Sequence, residues 1–371
     1  MAKLNVCTEK IIENIRQIND LMEQYGKKWS LISKVLSGNK KVLNAIDNSG
    51  ELERIHSIGD SRLSGLKAVK EVNPDIITMY IKPPAINYAE EVIEYADISM
   101  NTSIETMTVL NEFAKQKGKF HKSIIMIEMG ELREGILHEN VVDFYSKVFE
   151  LSNIEIVGLG TNLGCMYGIE PTFDKLLQLS LYKQLIEIKF QHSLEIISGG
   201  TSITLPLIEK GKVPKEVNHF RIGEAAFLGV SPLNNQQFHD LHTDAFHVEA
   251  TIVEIEEKKN VPEGILSDAN VGHTNGANST EDTTSFKALV DIGILDVNIE
   301  NIDIDDDDIS FVGTTSDITV FDLGENMDDK GIKRYKVGDS ITFSPSYMGV
   351  ARLMSSKYIE KDIQCNETGD K

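Results

Sequence analysis

Through the first two-thirds of the chain, short apolar runs alternate with longer stretches in which apolar residues recur every three or four positions. The short runs fall at 29–35, 54–59, 75–81, 96–100, 122–129, 154–160, 194–197 and 219–222. Their length and β-branched content predict strands. The longer stretches include 103–117, 140–151, 173–190 and 205–210 and predict helices. Thr102 and Glu105 stand at capping-box spacing before the first of these. Eight strands with helices between them, within about 225 residues, match an α/β fold of the TIM-like (β/α)8 barrel type. An open, doubly wound sheet is the competing arrangement.

Beyond Gly229 the texture changes. Residues 231–243 are a polar loop, 246–255 alternate apolar and polar, and further β-like runs follow at 287–292, 309–313, 318–323 and 340–343. Helical periodicity is nearly absent between them. The expected organisation is a barrel over 1–230 and a smaller, mostly-β C-terminal domain over 231–371. The run Asp303-Ile304-Asp305-Asp306-Asp307-Asp308 lacks the glycine and distal glutamate of an EF-hand loop. It reads as a solvated charged turn.

Charge narrows the possible partners. The 371 residues carry 37 Lys plus Arg against 58 Asp plus Glu, a formal charge of −21. Such a surface repels nucleic acid and anionic lipid. No run approaches the roughly 18–20 apolar residues of a membrane span, and the N-terminus lacks the apolar core of a secretory signal. Cys7, Cys165 and Cys365 are too few and too scattered for a disulfide framework or a zinc cluster. A cytoplasmic enzyme or small-molecule binder, with no metal, is the expectation.

In a (β/α)8 barrel, chemistry sits at the C-terminal ends of the strands. The first run carries Lys34 near its end. A buried lysine is costly unless paired or functional, and desolvation makes it a nucleophile able to form a Schiff base; the plainer alternative is a snorkelling side chain. The seventh run leads into Ser198-Gly199-Gly200-Thr201-Ser202 and the eighth into Arg221-Ile222-Gly223-Glu224. Barrel phosphate sites are built by these two loops, and glycine lets backbone approach a ligand closely. Asp60-Ser61-Arg62, residues 128–133 and Thr161-Asn162 occupy other strand ends. A lysine facing a phosphate cradle is the arrangement that pyridoxal 5'-phosphate (PLP) requires.

These residues, in this order, resemble the PLP-dependent racemases of the alanine racemase fold (fold type III). Within that family the chain most resembles the ornithine racemase-like amino-acid racemases. The shared pieces are Ser33-Lys34-Val35, Asp60-Ser61-Arg62, Leu132-Arg133-Glu134-Gly135-Ile136, Gly160-Thr161-Asn162-Leu163, Ser198-Gly199-Gly200 and Arg221-Ile222-Gly223-Glu224. The resemblance runs from about residue 4 to 360. It implies that Lys34 holds PLP as an internal aldimine and moves the Cα proton on one face. It implies that Arg221 meets the pyridine nitrogen, and that Ser198 belongs to the cofactor site. Thr201, Ser202, the amides of Ile222 and Gly223, and Tyr347 would bind phosphate. Arg133 would face the cofactor's phenolic oxygen and the substrate carboxylate, and Asn162 stands where alanine racemases carry a histidine against the ring. Ser316 and Asp317 fall in a loop that each subunit lends to its neighbour's substrate site, so a homodimer is implied.

The chain also departs from the pattern. Lys34-Val35-Leu36-Ser37-Gly38 lacks the tyrosine that follows the lysine in alanine racemases, so one phosphate contact is missing. The partner-subunit tyrosine that serves as second base has no match in 261–273. Racemisation needs a proton carrier on each face of the planar carbanion, and His273 is the first candidate because imidazole titrates near neutrality. Asp268 and Cys165 follow. Two other readings compete: a different enzyme of the same fold, or a PLP-binding protein with little turnover. Dehydratases and aldolases of this scaffold place a metal-binding His and Cys pair late in the β domain, and that spacing is absent here. Acidic residues near the strand ends (Asp60, Glu131, Glu134 and Glu224) suit the distal amine of a basic amino acid such as ornithine.

Overall fold

The computed structural model describes residues 2–267, 271–274 and 283–364. The chain forms two compact units, Thr8–Thr243 and a second made of Met1–Cys7 with Asp244–Lys371. Strand β1 (Lys3–Cys7) thus belongs to the second unit, and the first opens with helix α1 (Thr8–Gln24). Ile11, Ile15, Ile18 and Met22 form the buried stripe of α1, the spacing of one helical face. Asn19 on the same face accepts from the indole Nε1 of buried Trp29 at 2.8 Å and donates to the Glu51 carboxylate at 3.0 Å.

Eight parallel strands follow, separated mostly by helices. They are β2 (Lys28–Ile32), α2 (Lys40–Asn48), β3 (Ser57–Asp60), α3 (Leu63–Val72), β4 (Thr78–Tyr80), α4 (Ala89–Tyr95) and β5 (Ile98–Asn101). Next come α5 (Ile104–Gln116), β6 (His121–Met126), α6 (Val141–Val148), β7 (Ile154–Gly160), α7 (Phe173–Phe190), β8 (Ile196–Thr201), α8 (Leu205–Glu209), β9 (His219–Ile222) and α9 (Glu224–Leu228). Strand β9 pairs with β2, so β2 to β9 close into a barrel and leave no open edge. The expected (β/α)8 barrel is the architecture found. Met79, Ile98, Met100, Ile124, Met126, Val157 and Ile196 make one buried apolar cluster, while Ser30, Ser57, Ser99, Ser123, Ser198, His219 and Arg221 are buried polar residues on the same strands. The unit ends with the short hairpin β10 (Val230–Ser231) and β11 (Gln236–Gln237).

Several boundaries differ from the sequence pattern. The first barrel strand stops at Ile32 and a 3-10 turn, Ser33–Leu36, carries Lys34. The glycine pair Gly199-Gly200 lies inside β8 rather than after it. Ser103, not Thr102, caps α5, accepting from the Thr106 amide at 3.2 Å.

The second unit is built on β12 (Phe246–Lys259), which pairs with β1 and with β14 (Thr284–Val290). Its other elements are β13 (His273–Thr274), β15 (Ile302–Ile304), β16 (Ser310–Thr314), β17 (Thr319–Asp322), β18 (Ser340–Pro345), helix α10 (Tyr347–Ser355) and β19 (Glu360–Gln364). The β-rich reading holds, with α10 and the N-terminal strand added. Asp306 is no solvated turn residue: its carboxylate accepts from Arg334 and Tyr335, each at 2.5 Å. Among the described residues no helix is long and apolar enough to cross a membrane.

Barrel closure constrains Gly158. A Cβ there would lie 2.0 Å from the carbonyl oxygen of Ile196 on the neighbouring strand, and backbone has no rotamer by which to move aside. Gly158→Ala should cost about 1–3 kcal/mol, read as a lower urea midpoint at unchanged slope.

Candidate active site

The C-terminal ends of the barrel strands collect the chemistry-bearing residues. Lys34 follows β2, Asp60 ends β3, Arg133 follows β6, Asn162 follows β7, Thr201 ends β8, and Gly223 follows β9. Because β8, β9 and β2 are hydrogen-bonded neighbours, strand pairing alone brings Lys34, Arg221 and the Ser198–Ser202 run to one side of the barrel mouth. Lys34 is exposed, not sunk in the apolar interior. Its charge reaches two carboxyls: it draws down the pKa of both Asp60 and Glu224, against burial, which pushes each of them up. Burial dominates, and Asp60, 1% exposed, is held at about 6. Tyr80, at the end of β4, is pushed up to about 12 by burial and by the charge of Asp60.

Arg221 is 4% exposed. Its Nη1 donates to Ser198 Oγ at 2.6 Å, and its Nη2 donates to the Thr161 carbonyl at 2.9 Å and to Asn162 Oδ1 at 3.5 Å. Burial lowers its pKa to about 10, opposed by the charge of Glu134, so it stays cationic near neutrality. A guanidinium has five N–H donors, and these three bonds leave donors for a ligand acceptor. Beside it, Thr161 Oγ1 and Asn162 Nδ2 are buried without a hydrogen-bond partner. Buried orphans of this kind are rare, and these two belong to residues that bond the same cation.

The loop between β6 and α6 positions Arg133. Its ends are tied by Glu128 N to Ile136 O (3.1 Å) and Ile136 N to Met126 O (2.8 Å). Gly135, at φ +147°, has no room for a side chain, since a Cβ would meet the Glu128 amide at 2.1 Å. The loop also holds Leu132 at φ +50°, a left-handed conformation costing a non-glycine residue about 1 kcal/mol. Arg133 then pairs with Glu134 (Nε to Oε2, 2.5 Å) and donates from Nη1 to Cys165 Sγ at 2.7 Å. Glu131, 2% exposed, receives the amides of Cys165 (3.1 Å), Tyr167 (2.9 Å) and Ile169 (2.8 Å). Burial raises its pKa, but these amides outweigh burial and hold it below the ordinary value. Of the four acidic residues near the mouth, Glu131 and Glu134 are therefore engaged in shaping loops and Asp60 Oδ1 accepts from the Arg62 amide at 2.8 Å, while Asp60 and Glu224 both feel the charge of Lys34.

The two glycine-bearing ends are joined by Ser202 Oγ, which accepts from the Ala225 amide of α9 at 3.2 Å. Thr201 ends β8, Ile222 ends β9, and Gly223 precedes α9. In the β unit, Tyr347 is the half-buried first residue of α10. His273 on β13 pairs with Thr314, two positions from the exposed turn holding Ser316 and Asp317, so that unit places these three at one edge. Asp268 lies outside the described residues. Sequence reasoning missed Tyr80 and His219. The signal for the last was the presence of Ser30, Ser57 and Ser198 in strands that should be uniformly apolar. The donor set suits a flat ring with acceptor atoms and a phosphate: a buried guanidinium with spare donors, orphaned Thr161 and Asn162, and hydroxyls at two glycine-bearing loops. A PLP molecule fits these residues.

Comparison with known proteins points the same way. The family model for the alanine racemase N-terminal domain matches residues 6–232. Ornithine racemase of Acetoanaerobium sticklandii is 31% identical over 362 residues, covering 97% of this chain and 99% of that protein. Lysine racemase of Thermotoga maritima is 27% identical, covering 97% of each. Among solved structures, alanine racemase from Corynebacterium glutamicum superposes with a TM-score of 0.71 at 16% identity, over 98% of this chain and 99% of that one; this likeness concerns the fold.

Asp60 generates a pH prediction. Its folded pKa of about 6 lies above the ordinary 3.8, so the folded protein keeps the proton after the unfolded chain has lost it. The favourable contribution is full below about pH 4 and is lost as pH rises to about 6, roughly 3 kcal/mol in all. Asp60→Asn, a mimic of the protonated form, should flatten that part of the stability profile, measured by urea unfolding between pH 4 and 7.

Proposed function

Because the chain belongs to the alanine racemase family and is an amino-acid racemase, an isomerase, we propose that it holds PLP on Lys34 and interconverts the enantiomers of a basic amino acid such as ornithine. The observation that carries this is the convergence of Lys34, buried Arg221 and the Ser202 hydroxyl from three consecutive barrel strands. PLP, when bound, supplies an electron sink that makes the Cα proton of an amino acid acidic.

The chain's own residues do the rest. Lys34 Nζ takes and returns the Cα proton on its face. Arg221 donates to the ring nitrogen, and as a cation at neutral pH it does not release a proton there. Ser198 orients Arg221, and Asn162 flanks the ring. Thr201, Ser202, the Ile222 and Gly223 amides and Tyr347 hold phosphate. Arg133 holds the substrate carboxylate, with Ser316 and Asp317 of a partner subunit completing the substrate site. Glu224, and Asp60 through the oxygen that does not receive the Arg62 amide, are the acidic groups offered to a distal amine, and the racemases of ornithine and lysine named above support that choice of substrate.

His273 is the proposed proton carrier on the opposite face, contributed by the partner subunit of a homodimer. Its position at the same sheet edge as Ser316 and Asp317 supports this. A specific observation favours Cys165 as the second candidate: its sulfur touches Arg133, the residue assigned to the carboxylate. A thiol there would lie one carboxylate away from Cα.

Two experiments test these roles. Borohydride treatment of the PLP-loaded protein should fix the cofactor to the peptide bearing Lys34. A panel of amino acids read by chiral chromatography should then show ornithine or lysine racemised at least tenfold faster than alanine. A label on another lysine, or alanine as the best substrate, overturns the respective assignment. For the second carrier, His273→Ala and Lys34→Ala proteins should each be inactive alone and regain activity when mixed, because a mixed dimer holds one complete site. If His273→Ala racemises normally and Cys165→Ser does not, the carrier is the thiol.

A further inference from the structure

Arg221 stands at one end of a line of buried hydrogen bonds that crosses the barrel. Its Nη1 meets Ser198 Oγ (2.6 Å), which meets His219 Nδ1 (3.1 Å). His219 Nε2 meets Ser30 Oγ (2.8 Å), Ser30 meets Ser57 Oγ (2.6 Å), and Ser57 meets His56 Nδ1 (3.3 Å). Ser198, His219, Ser30 and Ser57 are all buried. His56 lies at the opposite end of the barrel, where it lines a cavity of about 350 Å³ with Lys28, His121 and Lys122.

The direction of the protons along this line follows from elementary donor counting. A guanidinium can only donate, so Ser198 accepts from Arg221. The hydroxyl hydrogen of Ser198 then needs an acceptor, and among the described residues the one within reach is His219 Nδ1. That leaves the His219 proton on Nε2, donated to Ser30; Ser30 donates to Ser57, and Ser57 to His56 Nδ1. Each hydroxyl and imidazole donor along the line then has an acceptor. In the reverse order His219 would donate to Ser198, whose own hydrogen would face no acceptor, a state disfavoured by roughly tenfold or more. Burial, the neighbouring His56 and the charges of Arg221 and Lys28 also keep His219 neutral, as an acceptor at Nδ1 must be.

We infer that Arg221 polarises this five-bond line, and that His219, locked as the Nε2–H tautomer, is a positioning residue that turns the Ser198 lone pairs toward the guanidinium. His219 touches neither substrate nor cofactor under the proposed function; it acts through Ser198 on the arginine assigned to the ring nitrogen. The tautomer is a property of the chain alone, and only the cofactor readout below rests on that proposed function.

The full-length protein labelled with 15N-histidine tests it without any cofactor. The His219 resonances, identified by their loss in His219→Gln, should show the proton on Nε2 throughout pH 6 to 8. Ser198→Ala removes the link to Arg221, so the selection disappears and a mixture containing the Nδ1–H form should emerge. A proton on Nδ1 in the wild type, or an unchanged tautomer in Ser198→Ala, overturns the inference. In the PLP-loaded protein, Ser198→Ala and His219→Ala should each shift the visible absorption band and release cofactor about tenfold faster. His219→Gln, which retains one acceptor and one donor, should recover part of both, and equal effects of Ala and Gln would refute the positioning role. Should the His219→Ala chain not fold, Ser198→Ala and His219→Gln carry both readouts. Failure to take up PLP at all would count against the proposed function and leave the tautomer result standing.

Discussion

A guanidinium offers five donors and no acceptor, so a barrel that buries one must line itself with acceptors. Arg221 imposes that condition here. It explains why Ser198, the Thr161 carbonyl and Asn162 converge at 2.6–3.5 Å. It also accounts for the hydroxyls and the neutral histidine on β2, β3, β8 and β9; Ser99, Asn101, His121 and Ser123 form a separate buried polar set. Among the described residues no carboxylate pairs with Arg221 directly; Glu134 acts on it through space and is itself held by Arg133. The cation is thus hydrogen-bonded but not neutralised, which leaves its field available to whatever binds at the barrel mouth.

Around that centre, different devices hold the remaining groups. Strand pairing sets the ends of β2, β9 and β8 side by side, and the short 3-10 turns after β2 and β8 carry Lys34 and Ser202 there. Arg133, by contrast, depends on a loop with tied ends, an obligatory glycine and a left-handed leucine. Glu131 extends the same economy: one buried carboxylate gathers the amides of the 165–169 segment and so brings Cys165 against Arg133. Glu131 gives both carboxylate oxygens to backbone amides, whereas Asp60 gives Oδ1 to the Arg62 amide at 2.8 Å; the two differ in how far each is engaged.

The barrel was legible in the chain because strands buried on both faces read as short apolar runs, and because the helices between them carry a 3.6-residue repeat. The glycine-bearing ends of β8 and β9 were legible for a local reason: glycine marks where backbone comes close to a neighbour or a ligand. Boundaries were less so. The pattern carried Lys34 into a strand because Val35 and Leu36 continue the apolar run, whereas they are buried from a 3-10 turn and Lys34, just before them, is exposed. The strand β1 escaped notice because its partners, β12 and β19, lie about 240 or more residues away, and pairing at that separation leaves no local mark.

By itself, then, the sequence determined the repeating element pattern, the two-part organisation and the residue types at each strand end, since all of these follow from composition and period within a few neighbouring positions. Tertiary structure alone decided how far each acidic residue is already engaged, that a serine and a histidine from adjacent strands stand behind Arg221, and which way their protons run. Those outcomes depend on distances between residues far apart in the chain and on how deeply each is buried. Hydrogen-bond direction and desolvation are properties of the assembled interior, and neither exists until the barrel closes.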